Sequence, residues 1–410
     1  MNVMELFLGI MTALGGFVDI GELVFAISAG ARFGYMLLWA VLLGTVGIFL
    51  FSEMSGRMAA VLKKPTFEIV RDRYGYNRGL LILVASNLVN VLTCAAEIGG
   101  AAIILQILVP QDLRVMLLVA AGFLLVSTYV LKFKWIERVY GVCGLTLLVF
   151  AAAAWALEPG WGDVARGFVP HLPEAGMPGL PLYAYFAVGL FSSILMPYEI
   201  YFYSSGGIED QWKPKDLLLN KVTAGVGFVL GGLLVCALII VGAALFMPGG
   251  VVPQRLSSTI FGASIPLGAW GFRFALAGIF FAIAGAAVET ALAAGYNIAQ
   301  FFGFAWGKRK NPGEVPLFTL CWMGALVIGL AVSLTGVNPL DIVEYSVIFA
   351  ILVLPFTYYA VLRLADDKEV MGKHVNSPVA RVAGWIYLVL ITLAAIAAVP
   401  LMIATHMGQG

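Results

Sequence analysis

Long apolar runs, broken by short polar or Pro/Gly-rich stretches, occupy the chain from end to end. Runs long enough to cross a ~30 Å hydrocarbon core fall at about 5–30, 34–62, 79–109, 113–131, 138–157, 181–204, 217–247, 267–304, 316–336, 342–363 and 379–405. The pattern predicts about eleven transmembrane helices. Stretches 158–180 and 248–266, rich in Pro and Gly, are expected to be loops. Stretches 206–216 (GGIEDQWKPKD) and 364–378 (LADDKEVMGKHVNSP) read as polar loops on the opposite side.

Composition agrees with that reading. The 410 residues are 61% hydrophobic and 11% charged, where a soluble domain carries about 25% charge, so this is an all-α polytopic membrane protein. A net charge of +1 argues against nucleic acid as a partner; the lipid bilayer is the expected surrounding. Cys94, Cys143, Cys236 and Cys321 all lie in apolar runs without CxxC spacing, which suggests neither a disulfide framework nor a zinc site. His171, His374 and His406 fall in loops or at the C-terminal end, so no intramembrane histidine is available as ligand or proton carrier. No cleavable signal peptide is expected, since the first run lacks a basic leader and carries an acidic pair. Nineteen of the 24 Lys and Arg residues lie on one side of the predicted map; Arg32, Arg114, Arg166, Arg255 and Arg273 lie on the other. The positive-inside rule then predicts a cytoplasmic-membrane protein with its N-terminus cytoplasmic and its C-terminus outside.

Two runs carry features that a plain membrane anchor would not. In the first, Gly15-Gly16-Phe17-Val18-Asp19-Ile20-Gly21-Glu22 sets two carboxylates three positions apart. At 1.5 Å per residue Asp19 lies roughly 20 Å into the run, near the bilayer midplane, where each charge costs at least ~2.5 kcal/mol unless compensated. Three glycines weaken the helix at that depth. In the sixth run, Ser192-Ser193-Ile194-Leu195-Met196-Pro197-Tyr198-Glu199 places a proline mid-span, removing a backbone donor. Broken helices one and six fit a 5+5 inverted repeat with an eleventh helix added, in which unpaired carbonyls at the midplane suit a cation. The expected division is 1–157 for the first repeat, 158–180 for an extracellular loop, 181–363 for the second repeat, and 364–410 for a cytoplasmic loop and the last helix.

In order and spacing, the chain resembles the Nramp divalent-metal transporters, a family with the LeuT-type fold. Ala29-Gly30-Ala31-Arg32-Phe33-Gly34-Tyr35, Ala96-Glu97-Ile98-Gly99, Met196-Pro197-Tyr198, Tyr201-Phe202-Tyr203-Ser204-Ser205, Ala284-Gly285, Leu354-Pro355-Phe356 and Met371-Gly372-Lys373-His374 carry the resemblance. The family's Asp-Pro-Gly-Asn signature corresponds to Asp19-Ile20-Gly21-Glu22, and its Met-Pro-His signature to Met196-Pro197-Tyr198. The resemblance therefore implies metal ligation by Asp19, Glu22, the Met196 sulfur and the Ser193 carbonyl. Departures are as informative. Asn has become Glu22; the helix-six histidines correspond to Tyr198 and Tyr203; the acid expected before Glu97 is Cys94; residues 316–336 hold no arginine; and Val353 replaces a glutamine. The implied metal site is largely kept while the family's proton route is largely absent.

Each candidate has a plainer alternative. Asp19 is a ligand or a helix cap, and Glu22 a ligand, a proton carrier or the partner of a cation such as Arg273. Two carboxylates so close resist ionising together, so the pair would hold a proton that an arriving dication displaces. Met196 is a soft ligand that favours transition metals or a packing residue. Glu97, Glu199 and Glu289 are further mid-span acids, functional candidates by default; with Tyr198 and Tyr203 they form the expected proton or gating path. The expected activity is alternating-access transport of a divalent cation, Mn²⁺ or Fe²⁺ by the retained Met196, Mg²⁺ if the extra charge of Glu22 dominates, with protons as a second candidate substrate. An organic-solute carrier on the same fold and a metal sensor without transport are the alternatives. No enzyme and no cofactor beyond the transported metal is expected.

Overall fold

The computed structural model describes residues 18–173, 177–253 and 256–409. Its helices are α1 (Ile20–Phe33), α2 (Leu38–Leu62), α3 (Tyr76–Leu108), α4 (Leu113–Val130), α5 (Phe133–Ala156, with a 3₁₀ turn at Leu145–Leu148), α6 (Leu180–Ile194), α7 (Pro197–Glu209), α8 (Leu217–Val241), α9 (Leu256–Phe302), α10 (Pro316–Leu334), α11 (Pro339–Asp366) and α12 (Pro378–Ala404). Counting α6 and α7 as one interrupted span, ten of these among the described residues are long and apolar enough to cross a membrane. The remaining predicted span, 5–30, enters the described residues only at Val18; Gly15, Gly16 and Phe17 lie outside them.

Three stretches depart from the sequence pattern. The expected loop 248–266 contains a helical arm from Leu256 that turns into the rest of α9 at Gly268, whose φ of +61° needs a residue without a Cβ. Leu256, Ile260 and Ala263 are buried while Phe261 and Ile265 are exposed, so the arm lays one apolar face on the bundle; it is too short to register as a span. The expected polar loop at 206–216 begins late, because α7 continues to Glu209, which is buried. Between α2 and α3 a short helix, Thr66–Tyr74, occupies a stretch too polar for the hydrophobic pattern to mark.

Small residues let the helices approach closely, as membrane interfaces require. A Cβ on Gly30 of α1 would sit 2.1 Å from the Ile239 carbonyl of α8, and one on Gly242 would sit 2.4 Å from the Ile27 carbonyl. The two backbones touch where α8 loosens into a π-helical turn at Gly242–Phe246.

Several contacts among polar segments join stretches that the Lys/Arg pattern puts on one side. Arg57 donates to the His374 carbonyl and to Asn376, Arg71 to the Phe301 carbonyl at the end of α9 (2.8 Å), and Arg73 to Asp367 (2.6 Å). Glu209 accepts from the Tyr296 hydroxyl at 2.7 Å and from the Lys308 backbone N–H, clamping the α9–α10 connection onto α7.

Lys308, 6% exposed, is the titratable group of that clamp. Burial lowers its ammonium from 10.5 to about 8, with the Glu209 charge opposing. Below pH 8 both folded and unfolded chains carry the proton and the burial penalty is complete; as pH climbs to 10.5 the folded form sheds it and stability is recovered. The thermal midpoint is expected to rise across that window by on the order of 2 °C from this residue, and Lys308→Met to flatten the rise. An unchanged midpoint-versus-pH slope in the variant would show that the buried ammonium is not the cause.

Candidate metal site

The start of α1 is built from three carboxylates. A helix begins with four backbone N–H groups that lack intrahelical partners, and its first turn is electropositive. Here Asp19, in extended conformation, is the N-cap: its Oδ1 accepts from the N–H of Gly21 (2.6 Å) and Glu22 (3.3 Å). Glu22 reaches back to the Asp19 N–H through Oε2 (2.9 Å), completing a capping box. Glu97 of α3 takes the Ile20 N–H through Oε1 (3.2 Å). Asp19 is thus a helix cap, the plainer of its two expected roles, and Glu97 is a hydrogen-bonded acid tying α3 to α1. Capping leaves oxygens over. Glu22 Oε1 and Glu97 Oε2 are buried with no protein partner, and the Asp19 and Glu22 carboxyls lie within interaction range of each other and of the Tyr198 hydroxyl.

The interrupted helix α6–α7 meets the start of α1 at this point. A Cβ on Gly21 would lie 3.5 Å from Cβ of Ser193 and 2.8 Å from Asp19 Oδ1, so the first turn of α1 abuts the last turn of α6. In a continuous helix the Ser193 carbonyl would accept from the N–H of residue 197; Pro197 has none. That carbonyl is therefore released by the sequence itself. Leu195 (φ −107°) and Met196 (φ −58°, ψ 134°) carry the chain out of helix, and Pro197 opens α7 at the position where a missing N–H does no harm. Met196 is 1% exposed. Tyr358 of α11 donates to the Leu195 carbonyl (3.2 Å) and Ser192 Oγ donates to the Val347 carbonyl (2.8 Å), bracing the break. Neither role was visible in the sequence, where Tyr358 stands in an unremarked apolar run; its position three residues past Pro355 was the only available pointer.

Tyr198, fully buried in the first turn of α7, lies within electrostatic range of Asp19, Glu22, Glu199 and Glu289. The structure thus brings together Asp19, Glu22, Glu97, Ser193, Met196, Tyr198 and Glu199 between the start of α1 and the break before Pro197, with Glu289 of α9 within electrostatic range. Tyr203 is elsewhere: its hydroxyl donates to the Asn220 carbonyl of α8 (3.0 Å) and its ring packs on Trp212 and Phe228. Arg273 is exposed, stacked over Trp270, so it does not partner Glu22. Among the described residues no salt bridge involves any of the five mid-span carboxylates. Nor do the described residues gather three or more His, Cys, Asp or Glu side chains in a metal-holding group; any cation here needs the Met sulfur, carbonyls or water besides the acids.

A helix start and a helix break that meet among buried acids within a bundle of ten apolar spans among the described residues match the LeuT-type fold of membrane transporters. Solved structures bear this out. A mutant of the Eremococcus coleocola manganese transporter matches with a TM-score of 0.75 at 21% identity, over 98% of this chain and 87% of that one. A nucleobase-cation-symport-1 family transporter matches at 0.62 with 12% identity, covering 97% and 93%. Residues 9–400 match the family described as natural resistance-associated macrophage protein-like. The divalent metal cation transporter MntH of Deinococcus radiodurans is 27% identical over 392 residues, and that of Levilactobacillus brevis 25% over 400; each alignment takes in 92% of this chain and 85% of the relative. The chain belongs to the Nramp family.

Proposed function

We propose that this chain carries divalent metal ions across the cytoplasmic membrane by alternating access, with Asp19, Glu22, the Met196 sulfur and the Ser193 carbonyl as ligands. The observation that carries the reading is a buried carboxylate pair beside a carbonyl that Pro197 has deprived of its donor, with no protein cation paired to the acids. A dication supplies the missing charge, and the thioether tilts selection toward Mn²⁺ or Fe²⁺ over Mg²⁺. The names of the metal-transporting relatives support the same substrate class. Two carboxyls this close and this buried resist ionising together, so the empty pair holds a proton that a dication binding both displaces; metal–proton exchange then occurs at one locus without histidine. Glu97, Glu199, Glu289 and Tyr198 line the path. A cavity between α1, α6 and α11, lined by Ser28, Arg32, Tyr185 and Glu344, reaches Val24 two residues from Glu22 and serves as the outer approach. The division into repeats at 1–157 and 181–363 and the cytoplasmic N-terminus belong to the same reading.

Uptake of Mn²⁺ and Mg²⁺ into proteoliposomes with an internal pH dye tests it. Mn²⁺ flux with a coupled pH change is expected. Equal Mg²⁺ flux would show that Glu22 outweighs Met196, and no flux of either ion in folded protein would return the organic-solute and sensor readings.

A further inference from the structure

Asp19, Glu22, Glu97, Glu199 and Glu289 are five carboxylates in the middle of one membrane bundle, and the single dication just proposed neutralises two of them. The rest need an account. Glu97 holds the Ile20 N–H. Glu199 holds nothing: it is 5% exposed, and both its carboxylate oxygens are buried without a hydrogen-bond partner. Its position in the first turn of α7 accounts for an acid there, because the turn is electropositive. It does not account for two oxygens that accept no hydrogen bond, a costly arrangement for any buried polar group.

What Glu199 faces is set by the packing of α7 on α9. Phe202 meets Tyr296 (ring centroids 6.2 Å apart) and Gln300 Nε2 donates to Ser205 Oγ (2.8 Å), so steps of three along α7 match steps of four along α9. Running that register back one step sets Glu199 beside Leu292, and Glu289, on the same stripe of α9, lies one turn further back toward the level of Met196. The charge of Glu199 lies within interaction range of both Glu289 and Asp19. Glu289 is half-buried, whereas the other four acids are buried. Tyr198, next to Glu199 in the first turn of α7, lies within electrostatic range of Asp19, Glu22, Glu199 and Glu289 alike.

We propose that Glu199 of α7 and Glu289 of α9 form a second divalent-cation site, one helical turn along α7 from the break at Met196. It is a hard, all-oxygen site: two carboxylates, with water filling the remaining positions as Mg²⁺ and Mn²⁺ accept. The site rests on the transporter reading, to which it adds a second station, so that an ion leaving Asp19 and Glu22 is passed to oxygen ligands and not released directly.

The test counts ions on the purified chain in lipid nanodiscs by equilibrium dialysis with radioactive Mn²⁺, with helical content and monodispersity checked for each variant. Wild type is expected to bind two Mn²⁺ per chain, and Glu199→Gln, Glu289→Gln and Asp19→Asn one each. The Mn²⁺ electron paramagnetic resonance signal of wild type is expected to show dipolar broadening that each variant loses. One ion in wild type, lost in Asp19→Asn and bound normally in Glu199→Gln, would overturn the second site and leave the transporter reading standing. One ion whose affinity falls tenfold or more in both Asp19→Asn and Glu199→Gln would overturn it too, by making Glu199 part of the first site. No ion in wild type would remove both.

Discussion

In proteoliposomes, Asp19→Asn is expected to lower Mn²⁺ uptake at least ~100-fold while leaving the thermal midpoint of the protein unchanged. The substitution separates two functions of one side chain. As the cap of α1, Asp19 supplies an acceptor to the N–H groups of Gly21 and Glu22, and Asn caps a helix about as well as Asp. As a ligand it supplies charge, which Asn does not. Removing a group that only orients a ligand already weakens metal binding about 10–100-fold, so removing a charged ligand from a water-poor site should cost more. Asp19→Ala is the companion: it loses the cap as well, at about 1 kcal/mol, and its midpoint should drop. Wild-type flux through Asp19→Asn would reduce Asp19 to a cap and take the metal site away from the start of α1.

Pro197→Ala should produce the second large effect, and in the opposite sense to most core substitutions. An alanine at 197 brings back the N–H that the Ser193 carbonyl lacks, and within a helix interior Ala is favoured over Pro by about 3 kcal/mol. The chain can then run from α6 into α7 without a break, withdrawing both the Ser193 carbonyl and the Met196 sulfur from the Asp19–Glu22 pair. The expected outcome is uptake reduced at least tenfold in a protein whose thermal midpoint does not fall. Uptake at the wild-type rate would mean that the break is dispensable and that the carboxylates bind without it.

Both predictions use features that could be read before any coordinates. The acidic pair stands out because charge at the bilayer midplane is expensive, and Pro197 because a proline removes a donor wherever it falls. The helix-six break was legible to the residue. Other features were not. Glu209 reads as the acid of a polar loop, GGIEDQWKPKD; only the fold shows it buried under Tyr296 and Lys308, since its partners lie far along the chain. The helical arm from Leu256 is apolar on one face and too short to span, so a criterion tuned to long apolar runs passes over it. The cap at Asp19 and the hydrogen bond from Ile20 to Glu97 depend on how α3 approaches α1, which periodicity does not encode. Tyr203, by contrast, stands out only by its place in a family pattern, and its hydroxyl turns from α7 to the Asn220 carbonyl of α8.

The backbone contact of Gly30 with Ile239, and of Gly242 with Ile27, leaves no side chain between α1 and α8 to serve as a bearing. Two helices with main chain set directly against main chain cannot slide without clashing, so they travel as one lever. Any motion that exposes the Phe33 end of α1 carries α8 with it, and the compliance of the pair has to reside in the joints that flank it: the start of α1 at Asp19 and the π-helical turn after Val241.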